Sequence, residues 1–148
     1  MSAQRRPIAD LAEEHLRRSG VRTTRARRLV LEKLSREGGP HTADEINILL
    51  GSAVPVSSLY RTLSVLSTNG ALERFHDGAG NARYELAEWL TGHHHHITCT
   101  QCGTTRDIDF AQETETTIRR FADEAGASAG FRVSGHRLDL EGLCSQCQ

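Results

Sequence analysis

SSLYRTLSVLSTNGALERFHDGAGNARYELA, residues 57–87, is the stretch that decides the fold of this 148-residue chain. Leu59, Leu63 and Leu66 repeat at helical spacing, Ser57 can cap the start, and Gly70 ends the run. Two short alternating segments follow, ALERFHD and NARYELA, around the glycine-rich turn GAG. That pattern predicts a β-hairpin directly behind a helix. Upstream, IADLAEEHLRR (8–18) places Ile8, Leu11, Ala12, His15 and Leu16 on one helical face. A second helix is expected from near Thr23 to the break at Gly38-Gly39-Pro40. Thr42 and Glu45 have capping-box spacing, so each side chain can satisfy the other's backbone N–H and open a short helix ending near Gly51. Helices followed by a two-stranded wing describe a winged helix-turn-helix, with 57–69 as its recognition element.

Downstream the pattern changes. Residues 89–103 read as a hinge into a second small domain, with a strand-like 104–110 and a helix over about 112–125 stopping at Gly126–Gly130. A strand over 131–141 and a terminal CSQC complete it. Domains of 1–88 and 89–148 are expected. Neither half can bury a large core alone, so a metal staple, dimerisation or both are expected in the second.

All four cysteines, Cys99, Cys102, Cys144 and Cys147, belong to CxxC pairs. Two such knuckles supply the four thiolates of a structural zinc tetrahedron. A redox pair is the competing reading, but it requires a thiolate at a helix start after a strand, a setting neither pair has.

The histidines lie in GHHHHITCTQCG, residues 92–103. A purification scar would sit at a terminus, whereas this run leads straight into a knuckle. In an extended segment successive side chains alternate faces, so His93 and His95 share one side and His94 and His96 the other. One run can then feed two metal sites; a solvated patch with loose metal affinity is the alternative. Glu85, Asp107 and His136 are further candidate donors. A set of His94, His96, Glu85 and Asp107 offers only nitrogen and oxygen, which suits Fe²⁺, Mn²⁺, Zn²⁺ or Ni²⁺ and disfavours copper(I).

Formal net charge is −1, but it is unevenly spread. Residues 1–36 carry ten Lys/Arg against four acids, while residues 91–148 carry five Arg against eight acids. A basic front suits an anionic partner; a solvated arginine-rich helix face is the alternative. No apolar stretch approaches the length of a membrane span, and residues 1–20 lack a signal-peptide core, so a cytoplasmic protein is expected. Neither an HExxH nor an HxE deaminase motif occurs, and no enzyme activity is expected.

Together, GVRTTRARRLVLEKL, HTADEI, SSLYRTLSVLSTNGALERF, GNARYEL, HHHHITCTQCG and GFRVSGHRLDLEGLCSQC resemble the ferric uptake regulator family of metal-responsive bacterial repressors. The resemblance implies an α+β fold, an N-terminal winged helix-turn-helix domain joined by a hinge to a small C-terminal α/β dimerisation domain. It implies structural zinc on the four cysteines and a regulatory site of Glu85, His94, His96 and Asp107. It implies an additional site of His93, His95 and His136 with an acidic member at Glu113 or Glu115. DNA contacts are implied for Arg22, Ser57, Ser58, Tyr60 and Arg61. The partners implied are a palindromic double-stranded operator and a second copy of the chain, with no membrane and no small-molecule substrate.

The departures are informative. Pro40 stands where family members carry a regulatory histidine, and His41 is one residue nearer. Zinc-sensing members carry a cysteine before the histidine run, which this chain lacks, so Fe²⁺ is favoured at the regulatory site, with Zn²⁺ or Mn²⁺ next. Peroxide-sensing members carry Asp where Glu85 stands. Zinc-responsive and peroxide-responsive regulation are the alternatives within the family, and a metal storage or chaperone protein is the alternative outside it.

Overall fold

The computed structural model describes residues 6–148; Arg5, counted in the basic front, lies outside the described residues. The chain divides into two compact units, Met1–His93 and His94–Gln148.

The first unit opens with helices α1 (Ile8–Arg18), α2 (Arg25–Glu37), α3 (Ala43–Leu50) and α4 (Val56–Thr68). Thr24 caps α2 by accepting from the Arg27 N–H. The expected capping box is present: the Thr42 hydroxyl accepts from the Glu45 N–H at 3.2 Å, and the Glu45 carboxylate accepts from the Thr42 N–H at 2.8 Å. Ser57 does not cap α4, because that helix starts one residue earlier behind Pro55, whose fixed φ is compatible with helix entry. The wing is β2 (Leu72–His76) against β3 (Ala82–Leu86), antiparallel, with Glu73 opposite Glu85. A strand the sequence did not announce, β1 (His41–Thr42), pairs on the other edge of β3 and gives the order β1-β3-β2. A short helix α5 (Glu88–Thr91) closes the unit.

Hydrophobic periodicity becomes packing here. Leu16 from α1, Val30, Leu31 and Leu34 from α2, Ile46 from α3 and Leu59, Leu63 and Leu66 from α4 are essentially inaccessible and form one core with Leu72, Tyr84 and Leu86 of the wing. Each such side chain contributes about 1.5–3 kcal/mol of transfer free energy, which fixes α4 by its apolar stripe and leaves its other face outward.

The second unit contains β4 (His95–Cys99), β5 (Thr105–Ile108), α6 (Gln112–Ser128) and β6 (Asp139–Gly142). β4 is central, antiparallel to β5 and parallel to β6. Two expectations change. The last strand covers only 139–142, and α6 runs through Gly126 instead of stopping there. Gly126 is a close-approach glycine. The returning segment lies against it, so an added Cβ would meet Val133 Cγ2 at 2.3 Å, and the Phe131 N–H donates to the Gly126 carbonyl at 2.8 Å. Among the described residues no helix is long and apolar enough to cross a membrane.

Candidate metal centres and nucleic-acid face

β4 sets the geometry of the second unit's donors. Its pleat sends successive side chains to opposite faces, and the histidines sort accordingly. His94 and His96 gather with Asp107, their donor atoms within 4.8 Å of one another. His95 gathers instead with Glu115 and His136, again within 4.8 Å.

In the first cluster the His94 and His96 rings meet edge to face with centroids 5.1 Å apart. Asp107 arrives because β5 pairs in a register that sets it opposite His96, with Oδ1 3.8 Å from Nε2. All three donors are nitrogen or oxygen, which fits a borderline or hard divalent cation. In the second cluster the Glu115 carboxylate divides its oxygens: Oε2 lies 2.9 Å from His95 Nε2, and Oε1 lies 2.9 Å from His136 Nε2. The two imidazoles stack with centroids 5.3 Å apart, and Phe110 packs on the His95 ring at 4.8 Å. Glu115 holds the acidic position; Glu113, two residues earlier on α6, is exposed and outside the cluster.

The first unit carries three further candidate donors, Glu85, His93 and His41. Glu85 is buried on β3, with 4 % of its surface exposed. His93, at the unit's end, bonds through Nδ1 to the Glu88 carboxylate. His41 Nε2 lies 2.8 Å from the Gly38 carbonyl.

The four cysteine sulfurs also lie within 4.8 Å of one another. Cys102 Sγ and Cys144 Sγ are 3.8 Å apart. A tetrahedron with zinc–sulfur bonds of about 2.3 Å has edges of about 3.8 Å, so the Cys102–Cys144 edge matches one, and the four thiols fit the donor set of a structural zinc. The backbone N–H of Cys102, followed by that of Cys144, brings the Cys99 thiol down to about 6. The Thr104 hydroxyl lowers Cys102. Hydrogen bonding with Cys144, and then burial, pushes Cys147 up to about 12. Hydrogen bonds thus favour the thiolate at Cys99 and Cys102 and disfavour it at Cys147 beside them.

The first unit presents a different surface. On α4 the buried stripe leaves Ser57, Ser58, Tyr60 and Arg61 outward, with Tyr60 half exposed. Arg22, before α2, is also exposed. The basic front is less available than its count suggests. Arg28 is spent on Asp10, Glu13 and Glu32 at 2.8–3.1 Å, and Arg18 on Glu14. Sequence reasoning also missed the wing's anchor. Arg83, 4 % exposed in its side chain, donates through Nε to Asp77 at 2.8 Å and through Nη1 to Glu45 at 3.3 Å and the Pro40 carbonyl at 3.4 Å. The sequence signal was an arginine in an inward-facing strand position, six residues from an aspartate across a turn.

A winged helix, joined in one chain to a small α/β unit whose best-buried side chains are metal donors, defines a class: two-unit regulators that bind metal. The chain belongs to the ferric uptake regulator family, whose model matches residues 18–141. It is 31 % identical over 137 residues to the ferric uptake regulation protein of Neisseria gonorrhoeae, covering 90 % of each chain. It is 33 % identical over 136 residues to the peroxide-responsive repressor PerR of Staphylococcus aureus, covering 90 % of this chain and 86 % of that one. The fold is that of the Vibrio cholerae ferric uptake regulator, with a TM-score of 0.73 and 26 % identity over 89 % of this chain and 98 % of that chain.

Proposed function

We propose that the protein is a metal-dependent repressor that binds a palindromic operator as a homodimer when its regulatory site is loaded. The sorting of His94 and His96 from His95 across β4 carries the reading, because it gives one strand two centres besides the cysteine cage. In this proposal the cysteines hold structural zinc, and His95, Glu115 and His136, joined by His93, hold an additional ion. His94, His96 and Asp107, joined by Glu85 from the first unit, take the regulatory ion. Residues 1–88 act as the DNA-binding domain and residues 89–148 as the dimerisation domain.

An ion held jointly by Glu85 and the second unit's donors would restrict the hinge. In a symmetric dimer that sets the spacing of two α4 helices, so that both enter successive major grooves. Tyr60 and Arg61 then reach base edges, Ser57, Ser58 and Arg22 reach the backbone and minor groove, and the Tyr60 ring can meet a thymine methyl. Such an effector acts only through its differential affinity, typically about 1–3 kcal/mol of coupling. The nitrogen–oxygen donor set and the absence of a cysteine before the histidine run favour Fe²⁺, with Zn²⁺ or Mn²⁺ next. The protein works in the cytoplasm as a regulator and not as an enzyme.

Zinc-loaded protein, titrated anaerobically with Fe²⁺, Mn²⁺, Zn²⁺ or Ni²⁺ over a random-sequence duplex pool, tests this. One metal should switch on salt-dependent selection of a palindrome, and the pair H96A/D107A should abolish the switch while leaving dimer and zinc intact. Equal selection by chelated and loaded protein overturns the switch, and no salt-dependent duplex binding in either state leaves metal storage as the reading. The Staphylococcus aureus relative favours a second reading, peroxide response. Under that reading, hydrogen peroxide ends duplex binding by the iron-loaded protein; under the first, binding survives.

A further inference from the structure

We propose that Val56 is a second base-reading residue on α4, packing its isopropyl group on a thymine methyl close to the one that meets Tyr60. The inference deepens the repressor reading and rests on α4 entering the major groove.

Large exposed apolar side chains are few in the first unit. Among its described residues they are Ile48, Val56, Tyr60 and Trp89. Trp89 is already engaged: its Nε1–H donates to the Gly70 carbonyl at 2.8 Å, and its ring lies against His15 with centroids 4.9 Å apart. Two of the other three stand on α4, Val56 with 52 % of its surface exposed and Tyr60 with 50 %. Four residues apart, they are neighbours on one face of the helix. A lone exposed aliphatic is ordinary on a protein surface; this one adjoins an exposed aromatic on the same face.

That face is laid out in two rows. Val56 and Tyr60 form an apolar row, and Ser57 and Arg61 a polar row beside it, all four exposed. Base edges in the major groove show the same division, with hydrogen-bonding groups on every pair and a methyl only on thymine. The N-terminal residues of a recognition helix are those that reach base edges, and Val56 is the first residue of α4. Nothing on the helix repels a polyanion, because its sequence VSSLYRTLSVLST includes Arg61 and no acid. Val56 is also β-branched, with one strongly preferred rotamer in a helix. Ordering it on a base therefore costs little side-chain entropy.

Spacing limits where the methyl can be. Four residues of α-helix advance about 6 Å, and successive nucleotides of one strand are about 3.4 Å apart. The thymine of Val56 therefore lies within about two base steps of the thymine of Tyr60, in the same half-site.

The test uses the full-length, metal-loaded protein and the palindrome it selects from the random pool. Each thymine is replaced in turn, in both half-sites together, by deoxyuridine, which lacks the methyl and keeps every hydrogen-bonding group. The wild type should bind about fourfold more weakly per half-site at two thymines, and Y60A marks the first by losing its response there. V56A should bind the thymine duplex about fourfold more weakly per half-site and be indifferent to deoxyuridine at the second, while keeping its response at the first. Alanine is the better helix former at an exposed position, so the urea midpoint of V56A should not fall. I48A, which truncates an exposed aliphatic on α3 instead, should respond like the wild type at both thymines. Additive losses from V56A and deoxyuridine overturn the proposal, because a residue and the group it touches must couple. A palindrome with no second thymine within two base steps overturns it as well. So does a V56A protein of lower oligomeric state, which would make the face a contact between copies of the chain. In each of these cases the wild type still selects a palindrome and the repressor reading stands. If the loaded protein selects none, that reading fails and the proposal fails with it.

Discussion

Arg83 shows what a single side chain can hold together. Its guanidinium bridges Asp77 at the wing turn to Glu45 in the α3 cap, and Asp77 Oδ1 also accepts from the N–H groups of Ala79 and Asn81. Removing one member of a buried pair leaves the other charge uncompensated, so R83L should destabilise the first unit by about 3–5 kcal/mol, read as a shift in urea midpoint. Burial acts to raise the Asp77 carboxyl, but the Arg83 guanidinium and the Asn81 contacts outweigh it and hold that group below the usual aspartate range. A depressed folded value gives stability that is complete above the unfolded value and is lost as pH falls through the folded one. The stability difference between wild type and D77N should therefore hold at neutral pH and shrink below about pH 4; a constant difference would contradict the assignment. The ion pairs also divide the arginines. Arg22 is exposed and has no ion-pair partner among the described residues, whereas Arg28 has three. R22A should reduce the salt slope of duplex binding by about one, while R28A should change urea stability and leave that slope alone. Net charge along the sequence could not separate the two, because Arg28 meets Asp10 and Glu13 only through packing of α2 on α1.

At the scale of the element, legibility followed the strength of the local signal. The capping box of α3, the leucine stripe of α4 and the wing hairpin were readable because each is encoded within a few residues. So was the alternation in β4, since a period of two needs only an extended backbone. Short elements carried too little pattern: β1 is two residues and α5 is four, and both depend on neighbours supplied by the fold. Gly126 was misread for a different reason. Its sequence context fits a helix stop, yet its role is to let Phe131 and Val133 return against α6, a contact invisible to periodicity. The segment 131–138 consequently spends itself on that return and on delivering His136, and the strand begins only at Asp139. G126A weighs two effects: alanine gains about 1 kcal/mol of helix propensity, but its Cβ would sit 2.3 Å from Val133 Cγ2 and 3.2 Å from the Phe131 carbonyl oxygen. A β-branched side chain has little freedom to yield, and overpacking costs about 1–3 kcal/mol, so the variant should melt earlier by circular dichroism. A variant as stable as the wild type would show that the returning segment can move away without loss.

Taken as a whole molecule, the chain distributes its stability unequally. The first unit has a contiguous apolar core drawn from α1 to α4 and the wing. In the second, Cys99 is the one buried apolar side chain among the described residues, Gly126 having none, and the other buried side chains are His95 and His96, with Phe121 and Phe131 more than two-thirds exposed. A unit whose interior is made of ligands has little hydrophobic burial to oppose its conformational entropy. Under the proposed function its folding free energy comes from metal and from association, and structural zinc at such sites supplies on the order of ten kcal/mol. Stripping zinc with a strong chelator, or making C144S, should therefore produce two separate events. The second unit should lose its signal, followed through Trp-free probes such as an NMR resonance of Ala125 or Gly142. The first unit, reported by Trp89 fluorescence, should keep its cooperative melt. Zinc-loaded protein should instead show a second-unit transition that rises with protein concentration, as expected when a second copy covers exposed apolar surface. If the zinc-free chain melts in one transition at the wild-type temperature, the cysteine cage is not what holds the second unit. If both units collapse together, the first unit's core is not the independent structure its packing describes.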